Sequence, residues 1–515
     1  MDGSGSGKSA SYSIPNAYQC LGSYVFTDPK GELYDRTAGY LKEHGYDIKV
    51  LNLVRPQYSD GYNPLMHISS ELDVDVIANT IVKGQKTDSG SDPYWDDMAE
   101  MLLKALIYYL IATRPEEEQN LASCAELVRA ANKNGGSNLL SDLMSQLPYD
   151  HPARMYYKSI EIAPEKTYGS ILSSLQSKLG KFDSKDIAEL TSTDTINFEE
   201  IGSKKTAVYV ISSDTHTAYD FLLTIFFSQM IQQLYDYADQ NGGRLKERTY
   251  FILDEFANIG KIPDFDKKIS TSRSRGISFS VILQNIDQLE AVYEKSYETI
   301  MGNCDTHVFL GSNSFKTVEY FSKQLGEKTI GRDSISINKD KQNHKTGKSV
   351  SDQVMARALM TPDELRRLDN DLCIIFEKGL KPVKANKFYY FKHPMAKEMA
   401  KLEISHNDIG EIDRGTWRKY NPYNPYVEDK DEEKVNDLNI ESLDDLFDDI
   451  DENKDSKVSQ PKEDIKREDD SLESLLDLDL GDAPMLPQDE EDDTYDLQKE
   501  LEAKFDELFG PLDED

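Results

Sequence analysis

The chain has 515 residues, enough for a large core and at least one further domain, so a single compact unit is not expected. Its four cysteines lie far apart without a Cys-x-x-Cys pair, which argues against a disulfide framework or a zinc cluster and indicates a reducing cytoplasm. The net charge of -35 is concentrated in residues 428–515, where 36 Asp and Glu face 9 Lys and Arg, so the remainder has an ordinary mixed-charge surface.

The first predicted element is a phosphate-binding loop at residues 2–9. Gly3, Gly5 and Gly7 have no Cβ, so successive backbone N–H groups can curl around an anionic phosphate. Lys8 then neutralises the terminal phosphates, and the hydroxyl of Ser9 is a ligand for Mg2+. We therefore expect ATP, with Mg2+, as the ligand.

This loop departs from the usual pattern in two ways. Asp2 stands where glycine is usual, and only Met1 precedes the loop where the pattern has a hydrophobic strand. Alternating glycine and serine is also the composition of a flexible linker. The loop alone leaves both interpretations open.

Alternating helices and strands follow, and then a long helical region. A strand is predicted at Ser23–Thr27, a helix from Glu32 and a strand at Asp47–Leu53. Helical periodicity dominates residues 69–202, which we interpret as an inserted all-helical domain. Its clearest predicted helices are Trp95–Thr113, Leu121–Asn132, Leu139–Leu147 and Thr167–Leu179.

Short apolar strands return after residue 203 and predict a mainly parallel sheet that is covered on both faces. They are expected at Ala207–Ser212, Thr249–Leu253, Ser278–Leu283, Thr306–Leu310 and Leu372–Phe376. A long helix is predicted at 218–238, and its apolar part, Phe221–Ile231, is too short to cross a bilayer. Nucleotide is expected at the carboxyl ends of the strands.

Two adjacent carboxylates follow the strand Thr249–Leu253. Asp254 is expected near Mg2+, directly or through water, and Glu255 is expected to orient or deprotonate the attacking water. An apolar strand that ends in two acids is also common as an ordinary strand terminus. It is the presence of the phosphate loop that favours a catalytic interpretation of Asp254 and Glu255 over an ordinary strand terminus.

Three more polar residues are candidates around the next strand. Gln284 ends that strand, where an amide can sense the γ-phosphate, with a polar strand cap as the equal alternative. Arg273 and Arg275 precede the strand, and their guanidinium groups suit phosphoryl oxygens of a neighbouring subunit's nucleotide. For both arginines, a solvent-facing basic turn is the alternative.

The last third of the chain is expected to lose regular structure. Residues 331–358 are polar and predict a mobile loop, whereas Thr361–Glu364 begins a helix with a capping box and proline at its first position. From about Pro425 the acidic composition predicts disorder. Three tail segments alternate acidic and apolar residues, as partner-docking helices or solvated spacer do: Leu438–Ile450, Leu472–Leu480 and Leu497–Phe509.

Together with the phosphate loop, five segments in chain order resemble the VirD4/TraG type IV coupling proteins, conjugation ATPases related to ring-shaped DNA translocases. These segments are Thr27–Leu33 (TDPKGEL), Tyr62–Pro64 (YNP), Leu253–Gly260 (LDEFANIG), Leu283–Leu289 (LQNIDQL) and Met360–Leu365 (MTPDEL). The resemblance covers about residues 2–395. The first and third segments together are specific, and they favour a phosphate loop over a linker.

This resemblance implies an α/β fold: a RecA-like P-loop NTPase core with a mainly parallel sheet, an inserted all-helical domain and a disordered acidic C-terminal tail. The expected boundaries are 1–68 and 203–395 for the core, 69–202 for the insertion and 396–515 for the tail. It also implies a homo-hexamer that uses ATP to deliver a relaxase with attached single-stranded DNA to a type IV secretion channel. The insertion would face the other relaxosome proteins.

Site roles carry over only onto matching residues. The resemblance implies phosphate binding by the loop residues already named, metal and water handling by Asp254 and Glu255, and sensing by Gln284. Asp28 either organises the phosphate loop or only satisfies a turn, and the role of Lys30 is equally open.

The family's usual front end is not present in this sequence. Such proteins carry membrane helices and a first core strand before the phosphate loop, and they lie at the cytoplasmic face of the plasma membrane. Here the loop stands at the first residues, and we find no transmembrane segment in the sequence. We expect an incomplete reading frame or a late start codon, and a loop that lacks the rigid support that catalysis needs.

Two other functions remain open. A non-hydrolysing receptor would dock relaxase or secreted proteins through the insertion and the tail, with the core as a scaffold. A generic DNA pump of the same superfamily would share the motor but would not account for the segment Asp28–Glu32. A motor is expected to show DNA-stimulated ATPase activity once the missing N-terminus is restored, and Lys8→Ala or Glu255→Gln should then abolish turnover, which distinguishes it from a receptor.

Overall fold

The structure is a computed structural model that describes residues 7–84, 93–132, 138–212, 219–339 and 346–425. Side chains are described in these ranges except at residue 132 and within 332–353. Gly3 and Gly5 of the predicted phosphate loop lie outside the described residues, as do the three acidic and apolar segments of the tail.

A five-stranded parallel sheet is the centre of the fold, in the order β2-β3-β1-β4-β5. Its strands are β1 (Ser23–Thr27), β2 (Asp47–Asn52), β3 (Thr206–Ile211), β4 (Thr249–Leu253) and β5 (Ile277–Val281). Every residue of β1 and β3 is buried, as expected for parallel strands covered on both faces. The α/β prediction with a mainly parallel sheet is confirmed.

The strands further along the chain do not extend this sheet. Two of them, β6 (Thr306–Phe309) and β9 (Leu372–Glu377), form an antiparallel sheet with β10 (Val383–Asn386). A small separate core that includes Phe309 and Ile374 covers one side of it. The predicted positions of β6 and β9 were correct to one residue, but their expected place in the parallel sheet was wrong.

The predicted mobile loop at 331–358 is also wrong. Its described residues, 331–339 and 346–358, belong to the antiparallel strands β7 (Glu327–Lys339) and β8 (Thr346–Ala358), whose pairing runs from Glu327 opposite Ala358 to Lys339 opposite Thr346. Polar composition suggested a loop, but backbone hydrogen bonds between two strands do not require apolar side chains. The predicted helix start beyond it is confirmed, because Thr361 and Glu364 form a reciprocal capping box.

The helices before β4 cover the parallel sheet and form the long helical region between β2 and β3. They are α1 (Ile14–Ala17), α2 (Glu32–Glu43), α3 (Glu71–Lys83), α4 (Pro93–Thr113), α5 (Leu121–Asn132), α6 (Leu139–Ser145), α7 (Pro152–Glu161), α8 (Glu165–Leu179), α9 (Lys185–Ser192), α10 (Phe198–Ser203) and α11 (Asp220–Gln240). Those after β4 are α12 (Phe265–Arg275), α13 (Ile286–Tyr293), α14 (Tyr297–Gly302), α15 (Phe315–Leu325), α16 (Pro362–Arg366) and α17 (Ala396–Met399). Within the described ranges, no helix has the length and apolar character that a bilayer span requires.

Side chains alternate between two cores on the faces of the sheet. Tyr24 and Phe26 of β1 point to a core that includes α1 and α2, whereas Val25 points to the opposite core. That second core also contains the apolar residues of α3, α4 and α5. The helical region therefore shares one continuous core with a face of the sheet, rather than enclosing a core of its own.

Residues 396–425, which we assigned to the acidic tail, pack on the folded core. Arg36 of α2 forms an ion pair with Glu403 at 2.5 Å, and Arg414 forms one with Glu189 of α9 at 2.8 Å. Tyr420 is buried beside α5. Long-range ion pairs and aromatic packing, not local composition, hold this segment.

Candidate functional site

The described end of the phosphate loop begins a helix. Gly7 has a φ of 69°, a left-handed conformation that favours glycine. Its carbonyl oxygen accepts hydrogen bonds from the backbone N–H and the hydroxyl of Ser11, at 2.8 and 2.7 Å. A π-helical turn at Ser9–Ser13 continues into α1. Gly7, Lys8 and Ser9 thus lie where a helix start presents free backbone N–H groups.

Two side-chain contacts join this loop to the end of β4. The ammonium Nζ of Lys8 lies 3.0 Å from Oε1 of Glu255, and these side chains are only 11% and 19% exposed. The hydroxyl of Ser9 donates to Oδ2 of Asp254 at 3.2 Å. The fold therefore brings together the two motifs that the sequence separates by more than 240 positions.

Gln284, which follows β5 (Ile277–Val281) rather than ending it as predicted, joins the same cluster. Its Nε2 donates to Oε1 of Glu255 at 3.0 Å, the oxygen that also faces Lys8. The backbone N–H of Gln284 in turn donates to the side chain of Gln288 at 3.2 Å. Oε1 of Glu255 thus contacts both the ammonium of Lys8 and the side-chain amide of Gln284.

The backbone holds the two carboxylates in a strained turn. Glu255 adopts φ 51° and ψ 47°, a left-handed conformation that costs a non-glycine residue about 1–3 kcal/mol. The hydroxyl of Thr27 donates to the carbonyl oxygen of Asp254 at 2.6 Å, and the N–H of Phe256 donates to Ile282 at 3.1 Å. We did not single out Thr27 from the sequence, although it begins the segment that carries Asp28.

Burial is the main influence on the charge of Asp254. Loss of water raises the pKa of this carboxyl, Lys8 lowers it, and the neighbouring Glu255 raises it, with a net upward shift. Lys8 therefore compensates only in part for the burial of the ionised carboxylate. A divalent cation beside Asp254 would stabilise its ionised form.

The residues present fit a magnesium ion that is completed by phosphate and water. Asp254 and Ser9 offer a carboxylate and a hydroxyl oxygen side by side, the hard ligands that Mg2+ prefers. Among the described residues, no group of three or more His, Cys, Asp or Glu side chains is arranged to hold a metal on its own. Mg2+ commonly binds through one or two protein oxygens plus substrate phosphates.

Asp28 has a different environment from Asp254. It is 2% exposed, and its Oδ2 accepts the backbone N–H of Tyr34 at 2.8 Å, in the first turn of α2. Burial raises the pKa of this carboxyl to about 7. These contacts favour the satisfied-turn interpretation of Asp28, and Lys30 beside it is exposed.

The two candidate arginines do not join the cluster within one chain. They end α12, before the amino end of β5, whereas the carboxylates follow the carboxyl end of the parallel strand β4. Arg275 forms a bidentate ion pair with Asp239 at 3.0 and 3.1 Å. Arg273 is 87% exposed and lies 3.7 Å from Asp305.

Sequence reasoning missed two aromatic contacts with the loop region. The hydroxyl of Tyr12 is hydrogen-bonded to Ser280 of β5 at 2.8 Å. Tyr389 lies against Gly7, where an added Cβ would stand 3.0 Å from its ring. No spacing in the sequence marks these residues, because each contact joins segments that are hundreds of positions apart.

Comparison with known proteins finds relatives over most of the chain. The family model for conjugative DNA transfer by the type IV secretory system matches residues 1–410. Conjugal transfer protein TraG of Escherichia coli is 25% identical over 427 residues, which cover 76% of this chain and 66% of TraG. Protein VirD4 of Agrobacterium fabrum is 24% identical over 419 residues, which cover 77% of this chain and 59% of VirD4. The chain thus spans slightly less than two thirds of the length of these relatives.

Solved structures of the conjugative coupling protein TrwB are also similar. The unbound monoclinic form has a TM-score of 0.47 and 17% identity, and the match covers 72% of this chain and 86% of that one. A complex of TrwB with a non-hydrolysable ATP analogue has a TM-score of 0.46 and 16% identity, over 78% of this chain and 90% of that one.

Proposed function

Because the chain belongs to the type IV secretory system family of conjugative DNA transfer proteins, we propose that it is an ATP-hydrolysing coupling protein. It delivers relaxase-bound single-stranded DNA to a type IV secretion channel. The observation that carries the proposal is the convergence of Lys8 and Ser9 with Glu255 and Asp254, at 3.0 and 3.2 Å. This convergence is the arrangement that nucleoside triphosphate hydrolysis needs.

Each side chain of the cluster has a definite task. Lys8 would exchange the carboxylate of Glu255 for the terminal phosphates of ATP. Ser9 and Asp254 would hold a magnesium ion, which would supply positive charge for the oxygens on which negative charge develops. Glu255, released from Lys8, accepts a proton from the attacking water. Gln284 keeps its hydrogen bond to Glu255 and links the site to β5.

The arginines support assembly into a ring, here proposed as a homo-hexamer. Arg273 is 87% exposed and is held by a 3.7 Å ion pair with the exposed Asp305, so its side chain can turn toward the nucleotide of a neighbouring subunit. Together with Arg244 and Arg248 it lines an open concavity of about 510 Å3. Arg275 is the weaker candidate, because it would first have to leave its bidentate pair with Asp239.

Partners and location follow from the same proposal. The substrate is single-stranded DNA with a covalently attached relaxase, and the other relaxosome proteins and the channel components are the remaining partners. The proposed DNA delivery takes place at the cytoplasmic face of the plasma membrane.

The test compares ATP hydrolysis and ATP binding by the chain and two variants. Lys8→Ala should lose both, whereas Glu255→Gln should keep binding and lose at least 100-fold in turnover, within the range for removal of a general base. The exposed residues Lys381 and Glu411 provide matched controls, Lys381→Ala and Glu411→Gln, which should keep the parental rate. Single-stranded DNA should stimulate the parental chain.

Parental turnover in Lys8→Ala or Glu255→Gln would refute the site assignment. Relaxase binding that is indifferent to ATP and to Lys8, without hydrolysis by the parental chain, would instead identify a docking receptor.

A further inference from the structure

An aromatic pair borders the phosphate loop on the segment after β10. Tyr389 and Phe391 are stacked, with ring centroids 5.1 Å apart and an angle of 16° between their planes. A short 3-10 turn, Tyr390–Lys392, carries the second ring of the pair. We call Tyr389 and Phe391 the aromatic pair.

The aromatic pair touches the loop at Gly7, where an added side chain would be crowded. A Cβ at Gly7 would lie 3.0 Å from Cε1 of Tyr389, closer than an ordinary van der Waals contact. The hydroxyl of Tyr389 donates to the carbonyl oxygen of Asn370 at 3.3 Å, which fixes the ring from its far end. The ring therefore stands at the loop, next to the residue that precedes Lys8.

The outer ring of the pair is open to solvent. Phe391 is 56% exposed, although a phenylalanine side chain gains free energy from burial. Lys392 lies over the ring of Tyr389, with its ammonium 4.7 Å from the centroid, and it adds a positive charge at the same place. A flat, exposed aromatic surface beside a cation suits a flat ligand that carries negative charge.

Geometry limits which ligand this is. The carboxylates Asp254 and Glu255 meet the loop at Ser9 and Lys8, where the terminal phosphates and the metal would lie. A nucleotide held there must place its ribose and base beyond its α-phosphate, against some other element that borders the loop. Tyr389 borders Gly7, and the turn Tyr390–Lys392 packs beside the turn Ser9–Ser13.

We propose that the aromatic pair, Tyr389 and Phe391, is the nucleobase subsite of this chain, on which the base of the bound nucleotide stacks. The inference rests on the proposed function, since it needs a triphosphate on Gly7, Lys8 and Ser9. Stacking selects ring area rather than hydrogen-bonding pattern, so the subsite prefers purine to pyrimidine nucleotides and separates adenine from guanine only weakly.

The test measures binding of two probes with Mg2+ by calorimetry. One probe is AMPPNP, a non-hydrolysable nucleotide, and the other is inorganic tripolyphosphate, which has no base. The double variant Tyr389→Ala with Phe391→Ala should bind AMPPNP about tenfold more weakly, a typical loss when an aromatic stacking partner is removed. Its affinity for tripolyphosphate should stay within about twofold of the parental value.

Two further variants control for packing. Phe388 is also 56% exposed and lies outside the aromatic pair, so Phe388→Ala should change neither affinity. Tyr389→Phe keeps the ring and should bind AMPPNP like the parental chain, even if loss of the bond to Asn370 lowers stability. Unchanged AMPPNP affinity in the double variant, or an equal loss for both probes, overturns the proposal.

Lys8→Ala separates this inference from the proposed function. A loss of both probes in Lys8→Ala supports the phosphate site. If Lys8→Ala keeps both affinities while the double variant loses AMPPNP, the proposed function fails and the aromatic pair still binds a base. A parental chain that binds neither probe refutes both.

Discussion

The ends of β1 and β4 provide a comparison within one sheet. These parallel strands are neighbours, with Thr27 opposite Leu253, and each is followed by a buried carboxylate. Asp28 accepts a backbone N–H from α2, whereas Asp254 accepts a hydroxyl from the phosphate loop. The carboxylate of Asp28 is therefore structural, because the helix that follows it supplies its hydrogen bond. The carboxylate of Asp254 faces the predicted phosphate loop, where we propose that it takes part in chemistry.

The largest expected effect is a difference in ATP turnover between matched amide variants. Asp254→Asn removes the charge that we propose holds Mg2+ beside Ser9, and it should slow turnover roughly 1000-fold, or about 4 kcal/mol of activation free energy. Asp28→Asn should stay within about threefold of the parental rate, because the described hydrogen bond of its carboxylate is with the backbone of α2. Steady-state rates at saturating ATP and Mg2+ decide the point. Similar losses in both variants would erase the distinction between the strand ends.

Next in size is the cost of a side chain at Gly31. This residue precedes α2 with a φ of 72°, and a Cβ there would lie 2.4 Å from Nδ1 of His406. Gly31→Ala should lower the free energy of unfolding by about 3 kcal/mol, from backbone strain plus displacement of the imidazole. Gly45, at φ 81°, has nothing within 4 Å of its Cβ position, so Gly45→Ala should cost about 1 kcal/mol.

Urea unfolding of both variants measures this difference. Equal destabilisation at Gly31 and Gly45 would mean that His406 moves away freely. The packing of the segment after residue 396 against Gly31 would then contribute little to the free energy of unfolding.

The smallest expected effect is a pH dependence of stability that belongs to Asp28. In the unfolded chain this carboxyl titrates near pH 4, and burial raises its pKa to about 7 in the fold. Between these values the folded state holds a proton that the unfolded state has lost, so stability falls as pH rises and levels off above about 7. The stabilisation is fully present below about pH 4.

Asp28→Asn removes this titration. Relative to the parental chain, the variant should gain about 2 kcal/mol of unfolding free energy between pH 5.5 and 7, because each pH unit contributes about 1.4 kcal/mol. Urea unfolding at a series of pH values provides the measurement. A constant difference between the two proteins across this range would show that Asp28 is ionised throughout.

Much of the fold was predictable because local patterns decide it. Short apolar runs bounded by polar residues located β1 and β4 to the residue. Parallel pairing then brings the ends of such strands to one edge, which is why Asp254 could be placed near the loop. The contact of Lys8 with Glu255 agrees with that argument.

Other features depend on partners that sequence patterns do not reveal. The hairpin of β7 and β8 is held by its backbone, so its polar residues were mistaken for a loop. The ion pairs of Glu403 and Arg414 join them to helices far away in the sequence, so local composition does not reveal them. Tyr389 lies against Gly7 although the two residues are near opposite ends of the folded part of the sequence, and no local pattern near either residue predicts this contact.

The ion pair between Lys8 and Glu255 has a consequence for an idle subunit. Without nucleotide, the ammonium of Lys8 lies 3.0 Å from Oε1 of Glu255 and occupies the oxygen that would otherwise face a water molecule. The phosphates of a bound nucleotide would compete with Glu255 for the ammonium of Lys8. Nucleotide binding would therefore release the carboxylate to act as the general base. In the proposed ring, hydrolysis would therefore be confined to the subunits that hold a nucleotide.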